Sequence, residues 1–319
     1  MGLKPRHARF RYRTLRPPPM SAPRSPADDS PRPLLAFFGH HKCASTWTHS
    51  IVDWACADAG WKLAYLYDEK PFGDDLAGWV AREKVDFVSY VNANAKYVNL
   101  RDFRGFHLVR DPRDLVVSAY FSHRNSHPTK DWPELPAHRE KLLSVSKDEG
   151  LYLEMEFNRP VLEEMAAWNY EQENVLELRQ EEFTADPYRG FLNVFGFLDV
   201  LDEENFSKRR QLPYLMQAAN NIWWRQGKLP WRRPMRRIPA ERLLGIVHNN
   251  RFSNYAGGRK KGQADEKSHY RSGKAGDWAN HFTPEHVEHF KLLYGDLVVR
   301  LGYEESNDWS LSNFTVLGV

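Results

Sequence analysis

From Leu34 onward, short apolar runs alternate with stretches in which apolar positions recur every three or four residues. The run LLAFFG (34–39) predicts a strand. The segment from Ser45 to Ala59 carries Trp47, Ile51, Val52 and Ala55 at helical spacing, with Gly60 as its stop. KLAYLY (62–67) predicts a second strand, and DDLAGWVARE a short helix capped by Asp74 or Asp75. VDFVSYV (85–91) and GFHLV (105–109) follow as strands. A long helical stretch runs from about Leu151 to Gln172, then NVLELR as a strand and DPYRGFLNVFGFL as a helix opened by Pro187. Between 203 and 240 the pattern weakens into clustered Arg, Lys and Trp broken by Pro213, Pro230, Pro234 and Pro239, and a last helix spans Pro284 to about Leu301. Strands alternating with helices predict an α/β fold: a central parallel β-sheet flanked by helices, joined by right-handed crossovers.

The first 33 residues have a different texture, rich in Arg, Pro and Ser with few large apolar side chains. They read as a disordered basic arm. Residues 34–303 then form the folded domain, and 304–319 a C-terminal tail. At 319 residues and 37.3 kDa, with 41% hydrophobic and 13% aromatic residues, the chain can bury a sizeable core. It has no apolar run near the roughly 18 residues of a membrane span, and its start lacks the order of a secretory signal. Two cysteines, Cys43 and Cys56, argue against a disulfide framework and fit a reducing compartment, so a cytoplasmic location is expected. No Cys/His group has zinc spacing, so no metal is expected. A net charge of +3 does not call for a nucleic-acid partner.

Three segments carry candidate chemistry. In GHHKCASTW (39–47) an apolar strand leads through a tight turn into a helix N-terminus. Backbone N–H groups and the helix dipole converge there, Lys42 adds a point charge, and the Ser45 and Thr46 hydroxyls add donors. That suits a phosphate or sulfate group. It is not the nucleotide-triphosphate loop, which wants Gly-Lys-Ser/Thr in succession. The plain alternative is an ordinary strand-to-helix turn with a surface lysine. In LVRDPRDLVVSAYFSH (108–123), Arg110 ends a strand and Ser118 lies about two helical turns on, an arrangement able to grip an anion. Its alternative is an ion pair of Arg110 with Asp111 or Asp114. In HYRSGKAGDWANHFT (269–283), Arg271, Gly273 and Gly276 form a basic, glycine-bearing loop suited to an anionic ligand, or simply a surface loop.

Together these segments resemble the sulfotransferase family, whose members use 3′-phosphoadenosine 5′-phosphosulfate (PAPS) as donor on a P-loop-like α/β fold. The family's Lys-Ser-Gly-Thr-Thr-Trp loop is matched by Lys42, Cys43, Ala44, Ser45, Thr46 and Trp47. Its Arg-x-Pro-x-Asp motif with a following serine is matched by Arg110, Pro112, Asp114 and Ser118. Its C-terminal loop is matched by Arg271, Ser272, Gly273, Gly276, Asp277 and Trp278. The resemblance implies that Lys42 and the loop hold the transferring sulfuryl group, with Ser45 and Thr46 on the same phosphate. It implies that Arg110, Ser118, Arg271 and Gly273 bind the 3′-phosphate and that Trp47 stacks on adenine. Ala44 replaces a glycine, Ser272 a lysine, and Gln180 a tyrosine that contacts adenine in the family. The family's Lys-Thr-His segment is also missing, because FVSYVNANAKYV has no histidine. Asp68 and Glu69 in YLYDEKPFG are then the expected catalytic bases, with His41 and His123 as rivals. The segment NNIWWRQGKLPWRRPMRR (220–237) interleaves tryptophans with basic residues. It fits a carbohydrate, acidic or lipid-linked acceptor, a dimer contact or a membrane-surface patch. The competing functions are a small-molecule or nucleotide kinase and a non-catalytic glycan- or nucleic-acid-binding module.

Overall fold

A computed structural model describes residues 32–130, 132–204, 207–260, 262–263, 265–266, 268 and 274–311. The predicted arm therefore lies almost wholly outside the described residues, as do Arg271, Ser272 and Gly273. Along the chain the elements begin β1 (Leu34–Gly39), α1 (Ser45–Ala59), β2 (Leu63–Leu66), α2 (Leu76–Glu83), β3 (Phe87–Tyr90) and β4 (Phe103–Val109). Next come α3 (Pro112–Asn125), α4 (Leu135–Ser144), α5 (Lys147–Phe157), α6 (Arg159–Ala167), β5 (Val175–Arg179), α7 (Gln180–Ala185) and α8 (Pro187–Phe197). The remainder is β6 (Leu201–Asp202), α9 (Lys208–Arg225), β7 (Ile238–Pro239), α10 (Ala240–Asn249), α11 (Phe252–Tyr255), α12 (Pro284–Tyr294) and α13 (Leu297–Arg300). These elements fall into two compact units.

One unit holds the described residues up to Val109 together with Ala167–Arg259. Its centre is a five-stranded, wholly parallel sheet in the order β2-β3-β1-β4-β5. Strand β1 lies in the middle, with Phe37 in register with Ser89 of β3 and Phe106 of β4. Alternate side chains of a strand point to opposite faces, and β1 is apolar throughout because both its faces are covered. Leu35 and Phe37 join a core with α1, α8 and α10 residues, and Phe37 stacks on Phe106 at 4.8 Å. Ala36 and Phe38 join the other core, where Phe38 meets Trp168 at 5.1 Å. The expected α/β architecture is the one observed. A strand, a turn and a helix (β1, residues 40–44, α1) at the sheet centre give it the phosphate-loop arrangement.

The other unit holds Arg110–Ala166 and the described chain after Lys260, with α3 packed on α4 and α5, and α12 on α5. The helical stretch predicted over 151–172 is two helices here. It opens earlier, at Ser146, whose side chain makes a capping box with Glu149. It breaks at Asn158, where Pro160 in the first turn of α6 lacks the N–H that would continue the ladder. The last helix also divides, because Gly295 takes a positive φ of 53° after α12. Glu304 and Trp309, within the stretch predicted as a tail, pack into this unit: Glu304 pairs with Arg113, and Trp309 is buried.

Glu154 of α5 is fully buried in this unit. One carboxylate oxygen meets His123 Nδ1 at 2.6 Å and accepts from Asn158 Nδ2 at 2.6 Å; the other meets His138 Nε2 at 2.9 Å. Burial alone raises a carboxyl pKa, but the hydrogen bonds and charges of His123 and His138 outweigh it and hold Glu154 at about 2. A folded pKa below the unfolded one stabilises the protein above the ordinary carboxyl range, and that stabilisation is lost as pH falls toward the folded value. Thermal unfolding midpoints are thus expected to drop between about pH 5 and about pH 2. In Glu154→Gln the drop over that window should be smaller; an equal drop would mean that other carboxylates carry it.

Candidate functional site

The loop after β1 is knotted onto His40. The His40 carbonyl accepts from Cys43 N–H at 3.1 Å and from Ser45 Oγ at 2.7 Å. Two alternate loop residues, Lys42 (φ 62°) and Ala44 (φ 56°), are left-handed. An L-residue pays steric strain there, and strain of this kind collects where a loop must present its backbone to a ligand. Left-handed residues in such turns aim successive N–H groups at one point, the geometry of anion-binding nests. Ala44 is also the N-cap of α1 and provides no side-chain cap, and the first turn of α1 carries no acidic residue. The opening N–H groups of a helix have no partner within it, and the N-cap side chain supplies none here. Ser45 is buried and gives its hydroxyl hydrogen to the His40 carbonyl. Cys43 is buried beneath the turn, Lys42 is half-buried and Thr46 is exposed.

Gly39 makes this turn possible. A Cβ there would sit 2.5 Å from Ser45 Oγ and 3.0 Å from the Phe37 ring. Gly39→Ala is expected to displace Ser45, cost about 1–3 kcal/mol of stability and weaken anion binding by the loop. Thermal unfolding and nucleotide titration of the variant check both effects.

Beneath the loop runs a chain of groups that sequence reasoning missed. His40 is fully buried, its Nε2 2.8 Å from Nε2 of His107 on β4. His107 Nδ1 meets Glu177 Oε2 of β5 at 2.6 Å, and Trp168 Nε1 donates to Glu177 Oε1 at 2.9 Å. Burial, then His107, pushes the His40 pKa well below its usual value, so His40 is neutral. His107 and Glu177 come from neighbouring strands and Trp168 from the chain after α6, and no sequence spacing signals them.

Trp47 donates its indole N–H to the Asn250 carbonyl at 2.7 Å and meets the edges of Phe183 and Phe191. Gln180, on the same short helix as Phe183, has a buried Oε1 with no hydrogen-bond partner among the described residues. After β2, Asp68 accepts from Lys70 N–H at 3.1 Å and pairs with the Lys70 ammonium at 2.9 Å, while Glu69 is half-buried and its carbonyl closes the turn to Phe72 and Gly73. His41 is half-buried in the loop itself. One further residue was not anticipated. His49, one helical turn after Ser45, bonds Ser89 Oγ of β3 through Nδ1 at 2.9 Å and lies against half-exposed Tyr65 with ring centroids 4.1 Å apart.

In the other unit the second and third motifs meet. Asp114, in the first turn of α3, accepts from Gly276 N–H at 2.7 Å and Trp278 N–H at 2.9 Å, pinning the glycine-bearing loop. Asp111 caps α3 and takes Arg113 in a two-pronged pair at 2.9 and 2.6 Å. Arg113 also bonds Glu304 at 2.6 Å and lies over Trp278 and Trp309, 4.0 and 4.6 Å from their ring centroids. Arg110, just before α3, and Ser118 within it are both half-buried. Among the described residues, His123, His138 and Glu154 also hold ligand atoms within 4.8 Å of one another, close enough for a metal ion.

Residues 233–302, less than half of the chain, match the sulfotransferase domain family. That stretch of the chain is similar to the sulfotransferase domain. The matched stretch includes Arg271, Gly276, Asp277 and Trp278 of the third motif. No curated protein sequence matches the chain. Similar solved structures include mouse sulfotransferase SULT7A1 complexed with PAP (16% identity, 85% of this chain and 86% of that one, TM-score 0.45). Another is retinol dehydratase in complex with androsterone and the inactive cofactor PAP (16% identity, 89% and 84%, TM-score 0.43). No helix among the described residues is long and apolar enough to cross a membrane.

Proposed function

We propose that the chain transfers the sulfuryl group of PAPS to a hydroxyl or amine of an acceptor, with carbohydrates and lipid-linked molecules among the candidate acceptors. The observation that carries this reading is the β1–α1 loop: two left-handed residues, an uncapped helix start and Lys42, assembled without the Gly-Lys-Ser/Thr order of a kinase loop. The residues present fit the donor. Gly39 lets Ser45 close the turn against β1, and the orphaned Gln180 Oε1 suits an amino group such as adenine's.

When bound, PAPS supplies an activated sulfuryl group on a phosphate leaving group. Lys42 and the loop N–H groups neutralise the charge that builds on the leaving 5′-phosphate. Transfer of this kind needs positioning and charge stabilisation, which lysine and backbone dipoles provide without a metal. Arg110, Ser118, Arg271 and Gly273 take the 3′-phosphate in this reading, with Ser272 one charge poorer than the family's lysine. A cytoplasmic location belongs to the same proposal and is supported by two buried thiols, Cys43 and Cys56.

For the acceptor's proton we propose His49 ahead of Asp68, Glu69 and His41. Burial lowers its pKa, Asp53 raises it and Arg225 lowers it again, so the ring is neutral near pH 7 and able to accept a proton. Ser89 fixes the ring's orientation, while Asp68 is engaged by Lys70. His49→Asn is expected to lower kcat about 10²–10⁴-fold with donor affinity kept. The pair Asp68→Asn and Glu69→Gln should leave kcat within a few-fold, and the opposite pattern would return the role to the carboxylates.

The function itself is tested by transfer of labelled sulfate from PAPS to a panel of sugars, lipids, phenols and amines. Label on at least one acceptor is expected. Transfer of phosphate from ATP with magnesium, and none of sulfate, would establish the kinase reading instead.

A further inference from the structure

We infer that α9 and the segment folded back along it form a docking surface for an anionic lipid bilayer. This goes beyond the transfer reaction and does not rest on it.

Helix α9 packs one side against the fold and carries large apolar side chains on another. Tyr214, Ala218 and Asn221 are buried, and Tyr214 and Asn221 bond Asp58 of α1. At 3.6 residues per turn, Leu212, Met216, Ala219 and Trp223 fall within about 60° of one another on the opposite side. That second stripe is exposed: Leu212 by 65%, Met216 by 67% and Trp223 by 54%, with Leu215 beside it at 51%. Large apolar side chains opposite a packed helix face are not explained by the fold and mark an interaction surface.

The chain after α9 extends this surface and holds it still. Asn221 bonds the Arg233 backbone in both directions, accepting at 2.7 Å and donating at 2.9 Å. Gln217 donates to the same carbonyl at 2.9 Å. Trp231, 55% exposed, is carried on this pinned segment.

Charge selects the occupant. From Lys208 to Arg237 there is no acidic residue. Some of the cations are used within the fold: Arg210 by Asp202, Arg225 by Asp53, Arg232 by Asp86 and Arg237 by Asp199. Lys208, Arg209, Lys228 and Arg233 are exposed and meet no carboxylate among the described residues. An apolar, tryptophan-bearing stripe bordered by exposed cations matches the acyl boundary and anionic headgroups of a bilayer surface. A second copy of the chain would bring the same cations against one another, with no acid in the segment to meet them.

The test is sedimentation of the full chain with vesicles of phosphatidylcholine alone or with about 30% phosphatidylserine, at low and physiological salt. Binding to the phosphatidylserine vesicles is expected, with at least about tenfold weaker binding to the neutral ones. Leu212→Ser/Met216→Ser/Trp223→Ser should abolish it. Lys208→Gln/Arg209→Gln should weaken it by about fivefold per cation removed. Unchanged thermal unfolding of the variants shows that the fold is kept, which their exposed positions favour. Wild-type protein that ignores both vesicles, or variants that bind as well as wild type, would overturn the inference. So would a concentration-dependent dimer in place of vesicle binding, dissolved by the same serine substitutions.

Discussion

Lys42→Met is expected to lower turnover with PAPS about 10²–10³-fold, the usual effect of removing one charge-stabilising donor from a transfer site. Methionine has a stem of similar length, and neither side chain relieves the left-handed backbone at this position (φ 62°). Folding should therefore be nearly unchanged, and the effect can be assigned to the lost charge. The loop N–H groups remain after the substitution, held by the turn on His40 and the uncapped start of α1. The donor should still bind, so kcat is expected to fall much more than donor affinity does. Single-turnover kinetics with labelled donor separates the two. A variant that loses donor binding but keeps kcat would make Lys42 a binding group with no part in stabilising the leaving phosphate.

Arg110→Ala is expected to cut the preference for 3′,5′-bisphosphoadenosine (PAP) over ADP by about 10- to 100-fold, the worth of charge-assisted hydrogen bonds to one phosphate. The loss should fall on PAP alone, since ADP has no 3′-phosphate. The start of α3, just after Arg110, is tied by other groups. Asp111 holds Arg113, and Asp114 holds the Gly276 and Trp278 N–H groups. Asp114→Ala, which cuts that tie, should weaken PAP binding only through the displaced loop and should also lower the unfolding midpoint. If Arg110→Ala weakens PAP and ADP equally, the arginine does not read the 3′-phosphate.

Much of the sheet unit was legible in the sequence because its punctuation is local. The β1 and α1 boundaries follow from an apolar run, a glycine turn and Gly60, which caps α1 in the left-handed conformation. Ala44 stands where the family has a glycine, and its φ of 56° is the left-handed conformation that glycine adopts freely. The same conformation at Lys42 left no mark, because lysine is the residue the chemistry wants there. Helix α9 was hidden by Pro213 inside it and by an apolar stripe that faces outward. The interactions that build the motifs were illegible for a different reason. Arg113 finds Glu304, Asp114 finds Gly276, and His40 finds His107 only after the chain folds, and no periodicity connects residues so far apart. The same holds for His49, which reads as one more polar position on α1 until Ser89 and Tyr65 are placed beside it.

The most direct test of the central claim, that the β1–α1 loop serves a PAPS-type donor, is calorimetric titration of the wild-type chain with PAP and with ADP, with and without magnesium. The account predicts tight PAP binding that needs no magnesium and far weaker binding of ADP. Equal affinity for the two nucleotides, or PAP binding that requires magnesium, would contradict it.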